Sequence, residues 1–295
     1  MSVRDDGYAV TGRFKKGYSL VVRDGIDCDV LLPAIADADF AGIEPTFIAG
    51  ALPDPGSPVK TARELQRRCD DLGLLVPSMR GGRVPWDTIS SADPAERTRA
   101  IDHVKRAFDA LDEMGGTVLL IVPGRRDPTV TFQDNWKRVV EFGHQVGMVA
   151  KTRNKRVGFE NVEARFPCSE RDWLDLLDEI HHDNIGMYFD VGNVVWLGFG
   201  FPEQWIHTLR SRIVQVHFKD AVCRTVGATV HAEVRSLLEG EVNWPAVMQA
   251  LHETEYTGWI SVEPDPYTHA LHRLPKRLSA DLNAIFALTT EGTTP

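Results

Sequence analysis

Four ionisable residues close apolar runs in the second half of the chain: Glu160 in "GFEN", Asp190 in "YFDVGN", His217 in "VQVHFKD" and Glu263 in "ISVEPD". Any one of them has an ordinary explanation, since an Asp at a strand end commonly caps the next helix. Their parity argues for more. The alternate positions Val157, Phe159, Met187, Phe189, Val214, Val216, Phe218, Ile260 and Val262 are all apolar, and residues two apart on a strand share a face. The four charged groups should therefore point together, away from the apolar side. Three carboxylates and an imidazole in one low-dielectric place are costly unless they share protons or a cation. Three oxygen donors and one nitrogen, with no thiolate, suit a hard or borderline divalent ion such as Mn2+, Mg2+ or Co2+ rather than structural zinc. An ion chelated by a carbonyl oxygen and the neighbouring hydroxyl would acidify the carbon acid between them and steady the enediolate.

The elements that must position these groups are eight strand-like runs, "YSLVV", "AGIEPTF", "GLLVPSM", "TVLLIVPG", "RVGFENV", "IGMYFDV", "IVQVHFK" and "GWISVEP". Amphipathic stretches lie between them, such as "DPAERTRAIDHVKRAFDALDEMG", with Asp93 as cap, Pro94 at the first helical position and Gly115 and Gly116 at its end. Strand and helix alternate throughout, with no linker or low-complexity segment. The pattern predicts an α/β chain folded as a (β/α)8 TIM barrel, one domain over residues 1–295, because an open doubly wound sheet would show fewer strands and an early glycine-rich turn. The first unit is the weakest, resting on Val21 and Val22 and a short helix around Val30 to Ala38. Such barrels carry their reacting groups where strands end, at the C-terminal face.

The composition excludes several partners. A net charge of -9 and a pI near 5.6 argue against nucleic acid, which needs clustered Lys and Arg. Cys28, Cys69, Cys168 and Cys223 are widely spaced, so neither a zinc knot nor a disulfide framework is signalled. No long apolar run or apolar leader is present, so no membrane partner is expected and the location is expected to be cytoplasmic.

At "GFENVEARF", "YFDVGNV", "VHFKD", "LLEGEVNW" and "GWISVEP", and upstream at "SADPAERTRAI" and "LLIVPG", the chain resembles the xylose isomerase-like TIM barrels, the sugar phosphate isomerases and epimerases. Within them it is most similar to the L-ribulose-5-phosphate 3-epimerase and ketose 3-epimerase branch. The resemblance implies that Glu160, Asp190, His217 and Glu263 bind one divalent metal and that Glu160 and Glu263 also move the substrate proton. It further implies a small carbohydrate substrate and a homo-oligomer. Proton return on the opposite face gives epimerisation, and return to the adjacent carbon on the same face gives aldose–ketose isomerisation.

Two positions depart from that pattern. Asn193 stands where ketose 3-epimerases commonly carry a histidine, and Phe166 where they use a second glutamate. Asn193 itself, Asn161, Arg165, Lys219 and Arg224 lie close enough to strand ends to contact substrate, and Lys219 shares the inward parity of His217. Glu44 is placed for a pocket wall or for a structural role. Trp86, Trp136 and Trp196 could stack on a sugar, His144 is expected on an exposed helix face, and His231 is a candidate late-closing acid. Gly240 should turn the long seventh loop, with Asn243 capping the helix at Trp244 and Pro245. The rival reading is a metal-dependent lyase or dehydratase of the same superfamily, acting on a keto sugar, a 3-keto glycoside or C-glycoside, or an inosose. A non-catalytic barrel would have little use for four convergent charges, and an abasic-site endonuclease would need further ligands and a basic face.

Overall fold

The alternating apolar pattern becomes eight parallel strands in a nearly closed barrel with helices between them. The computed structural model describes residues 13–20, 27–164, 166–264 and 271–288. The strands are β1 (Lys15–Ser19), β2 (Gly42–Glu44), β3 (Ser78–Arg80), β4 (Val118–Ile121), β5 (Arg156–Glu160), β6 (Ile185–Asp190) and β7 (Ile213–Phe218). A hairpin, β8 (Asp220–Val226) and β9 (Thr229–Arg235), precedes β10 (Trp259–Val262). The barrel runs β2-β1-β10-β7-β6-β5-β4-β3. Its seam is bridged by backbone bonds from Ile43 N to Leu75 O and from Phe47 N to Arg80 O, both 2.8 Å.

Two sequence expectations need correction. The first strand is Lys15–Ser19, ahead of the expected "YSLVV"; Val21 and Val22 lie outside the described residues. It lacks a strong apolar signature because Gly17 and Ser19 occupy one face. The expected long loop after β7 contains the β8–β9 hairpin, whose residues are largely exposed on both faces and so carry no buried-strand alternation.

The strands have two different faces. Val157, Phe159, Met187, Phe189, Val216, Phe218, Ile260 and Val262 are buried with the inter-strand helices in the main core. The interior face instead holds the buried polar side chains Ser19, Glu44, Ser78, Gln215 and Ser261, with Tyr188 near Val118 and Leu120. Glycine makes this interior possible, since a Cβ on Gly158 would stand 2.8 Å from that of Tyr188, and one on Gly17 would stand 2.3 Å from Ser261 Oγ. The helices begin where their caps predict: Asp93 accepts from Ala95 N before the helix Pro94–Glu113, and Asn243 accepts from Ala246 N before Trp244–Glu253. Among the described residues no helix is long and apolar enough to cross a membrane.

Candidate metal centre

The ends of β5, β6, β7 and β10 bring Glu160, Asp190, His217 and Glu263 together, so that one ligand atom from each lies within 4.8 Å of the others. Strand register does this. Asp190 pairs with His217 across β6 and β7, and Glu263 continues the ladder by donating its N–H to Phe218 O at 3.0 Å.

Asp190 caps a helix and remains available for the site, using different oxygens. Its Oδ1 accepts the N–H of Asn193 at 2.7 Å at the start of the helix Val191–Trp196, while its buried Oδ2 has no hydrogen bond among the described residues. Lys219 Nζ is an ion-pair neighbour of Oδ2 at 3.2 Å, close but not aligned for hydrogen bonding. Glu160 Oε2 is likewise buried without a hydrogen bond among the described residues. His217 turns Nε2 to Glu44 Oε1 at 2.7 Å and Nδ1 toward Glu160 Oε1 at 3.4 Å and Asp190 Oδ2 at 3.9 Å. Glu263 is held from both sides, accepting from Arg80 at 2.5 Å on Oε1 and from Lys219 at 2.7 Å on Oε2.

The charges perturb one another. Burial disfavours a charge on Glu263, but Lys219, Arg80 and His217 outweigh it and hold the carboxyl well below the usual range. Burial disfavours the imidazolium of His217, yet Glu44, Glu160 and Glu263 push it up to about 10. Burial is also the main cause that raises Asp190, against the pull of Lys219. Two orphaned carboxylate oxygens, the nearby His217 nitrogen and a third carboxylate make a donor set that could hold a hard divalent ion.

The other sequence candidates are dispersed. Lys219 lies in the cluster. Asn193 is buried beside it, donating through Nδ2 to Asn161 O at 2.7 Å, with its own Oδ1 buried and unpaired among the described residues. Asn161 clamps the end of β6, accepting from Asp190 N and donating to Asp190 O, both at 2.8 Å. Glu44 is fully buried and already hydrogen-bonded. Arg165 falls outside the described residues. Arg224 is exposed on the hairpin and paired with Glu241, with His231 opposite it on β9. Phe166 packs with Phe132 and Trp136, Trp136 donates to Glu179, Trp86 lies under the Arg83 guanidinium, Trp196 is half-buried and His144 is exposed. Gly240 abuts Asp220 Oδ1 so closely that a Cβ would collide with it.

Arg80 escaped the sequence reading. It stands one residue past "GLLVPSM", and a parity count from Ser78 would have put it in the barrel mouth.

The xylose isomerase-like TIM barrel family model matches residues 32–284. Inosose dehydratase of Lacticaseibacillus casei is 23% identical over 221 residues, spanning 63% of this chain and 73% of that protein. Among solved structures, 3-keto-D-glucoside 4-epimerase from E. coli aligns with a TM-score of 0.69 at 17% identity, covering 92% of this chain and 98% of that one. D-psicose 3-epimerase from Clostridium cellulolyticum H10 aligns with a TM-score of 0.70 at 16% identity, covering 93% and 99%. At these identities the structural likeness speaks for the fold.

Proposed function

The chain belongs to the xylose isomerase-like TIM barrel family, and from that premise we propose that it is a divalent-metal-dependent sugar or sugar-phosphate epimerase or isomerase, working by proton transfer through an enediolate. The observation that carries this reading is the convergence of Glu160, Asp190, His217 and Glu263 at one point of the barrel mouth, with Glu160 Oε2 and Asp190 Oδ2 buried and without a hydrogen bond among the described residues. Glu160, Asp190, His217 and Glu263 would hold one ion, Mn2+ in the first instance, with Mg2+ or Co2+ as substitutes. When bound, the ion supplies Lewis-acid polarisation of the substrate carbonyl and its neighbouring hydroxyl.

The protein's own groups do the rest. Glu160 and Glu263 stand on strand ends separated by β6 and β7, so a substrate lying between them offers one face to each. One carboxylate takes the proton from the carbon and the other delivers a proton to the opposite face. Arg80 and Lys219 keep Glu263 ionised in the resting site, the form that can accept a proton. Asp190 and His217 are holders. Asn193, through its Oδ1, and Lys219, through its ammonium, orient substrate hydroxyls, and Arg165, on its sequence position alone, would bind a substrate phosphate or carboxylate. This reading takes residues 1–295 as one barrel domain, cytoplasmic and assembled as a homo-oligomer, with a small carbohydrate as its partner and neither nucleic acid nor membrane.

A lyase or dehydratase acting on a keto sugar, a 3-keto glycoside or C-glycoside, or an inosose is the second reading. It is favoured by the inosose dehydratase relative and by the Lys219 ammonium, which sits between Asp190 and Glu263 where a β-leaving group could collect a proton. Proton NMR in D2O separates the two. The Mn2+-loaded protein is incubated with ketoses, ketose phosphates, 3-keto glycosides and inososes beside an EDTA-treated control. Metal-dependent deuterium at carbon 3 with the epimer supports epimerisation, and entry at carbon 1 with aldose supports isomerisation. Loss of a substituent selects the lyase, and no reaction across the panel refutes both.

A further inference from the structure

We infer that Glu44 is a positioning residue, which commits His217 to ligation through Nδ1 by holding its Nε2–H. This rests on the proposed metal site. Glu44 ends β2 and is fully buried. Its Oε1 accepts from Ser19 Oγ at 2.9 Å and from His217 Nε2 at 2.7 Å. Its Oε2 accepts from Ser78 Oγ at 2.7 Å and, through a short bond, from Tyr188 OH. Ser78 is itself held by Gln215 Nε2 at 2.7 Å. An ionised carboxylate has about four acceptor sites, and protein donors take all of them, leaving none for a substrate hydroxyl. The pocket-wall role raised by its position in the sequence therefore does not fit.

What remains is its effect on the imidazole. With Nε2–H bound to Glu44, the ring directs Nδ1 at Glu160 and Asp190. Tyr188, whose own ring lies 4.5 Å from that of His217, braces both the ring and the carboxylate. When Nδ1 is deprotonated the proton on Nε2 stays with Glu44, so the neutral ring is the tautomer whose lone pair faces the ligand set. The nearby negative charge also makes that lone pair a better donor. Carboxylates acting through histidine in this way orient the ring and fix its tautomer, and losing one weakens metal binding by about 10- to 100-fold.

The test combines a spectrum and an affinity. Long-range 1H–15N correlation of the Mg2+-loaded wild-type protein should show His217 protonated at Nε2, a signature that a merely structural buried carboxylate would not impose. Free Mn2+ measured by electron paramagnetic resonance should show Glu44→Gln binding Mn2+ about 10- to 100-fold more weakly with native near-ultraviolet circular dichroism. Tyr188→Phe, which keeps the carboxylate, should lose less. A folded Glu44→Gln protein within about twofold of wild type, or His217 protonated at Nδ1 in the loaded wild type, overturns the inference. Should Glu44→Gln not fold, the wild-type tautomer and the Tyr188→Phe affinity decide. A wild-type protein that takes up no Mn2+ refutes the metal reading itself, a distinguishable failure.

Discussion

Metal uptake by this site should expel a proton, with an affinity that climbs with pH. Burial works against the charge on His217 in the metal-free protein, but Glu44, Glu160 and Glu263 prevail and push its pKa up to about 10. A protonated Nδ1 cannot ligate. At about pH 7.5 the imidazolium predominates over the neutral ring, so deprotonation takes about 3 kcal/mol from the metal-binding free energy. The sign follows from the raised pKa: below about 10 the proton is present and must leave, so the dissociation constant should fall about tenfold per pH unit until it levels near that value. Asp190, raised by burial, adds a second proton at the acid end and steepens the dependence there. The same shift gives the metal-free protein stability that is full below the unfolded value near about 6.5 and lost as pH rises through the folded one. Calorimetric titration with Mg2+ between about pH 6.5 and 9, in buffers of different ionisation enthalpy, reads both affinity and proton release. About one proton per ion near pH 8 is expected; a flat dissociation constant with fewer than about 0.3 protons released would refute the reasoning.

Three further outcomes follow from the same contacts. Arg80 and Glu263 form a pair whose side chains are 20% and 11% exposed; breaking a buried pair costs about 3–5 kcal/mol, and the remaining Lys219 contact reduces this to about 2–3 kcal/mol for Arg80→Met in metal-free protein. At about 2.1 cal/mol/K of unfolding entropy per residue over 295 residues, Tm should fall by about 3–5 °C in scanning calorimetry, and a change below about 1 °C would contradict the pairing. Glu160→Gln and Glu263→Gln should fold and lose solvent-proton exchange at the substrate carbon by about a hundredfold or more; exchange retained in both would remove the two-glutamate mechanism. Asp220 accepts from Ala221 N at 2.9 Å, Val242 N at 3.1 Å and Trp244 Nε1 at 3.0 Å, so Asp220→Ala leaves buried donors unpaired at about 1–3 kcal/mol each. Thermal unfolding should show a clear loss, and an unchanged Tm would mean that this carboxylate does not hold the hairpin's return.

The fold was legible because barrel strands facing helices need apolar alternates, and Val157, Phe159, Met187 and Phe189 supply them. The four converging groups were legible for the same reason, since charge at the end of such a strand on the opposite parity has only the mouth to face. Shorter elements hid more. β3 is three residues long, too short to display a period, so Arg80 was passed over. β1 has Gly17 and Ser19 inward, and the hairpin has no buried face to pattern. Glu44 could be placed by parity but not interpreted, because its partners Ser19, Ser78, Tyr188 and His217 come from four other strands and only the register brings them together. Arg224 looked near a strand end along the chain, but the hairpin carries it outward to Glu241.

The most direct test of the central claim is anomalous diffraction at the manganese edge from crystals of the wild-type protein equilibrated with Mn2+. One strong peak is predicted at the C-terminal mouth of the barrel, within coordinating distance of Glu160, Asp190, His217 Nδ1 and Glu263. A peak elsewhere, or none at saturating Mn2+ with the four side chains ordered, would contradict the metal centre and the proton-transfer chemistry built on it.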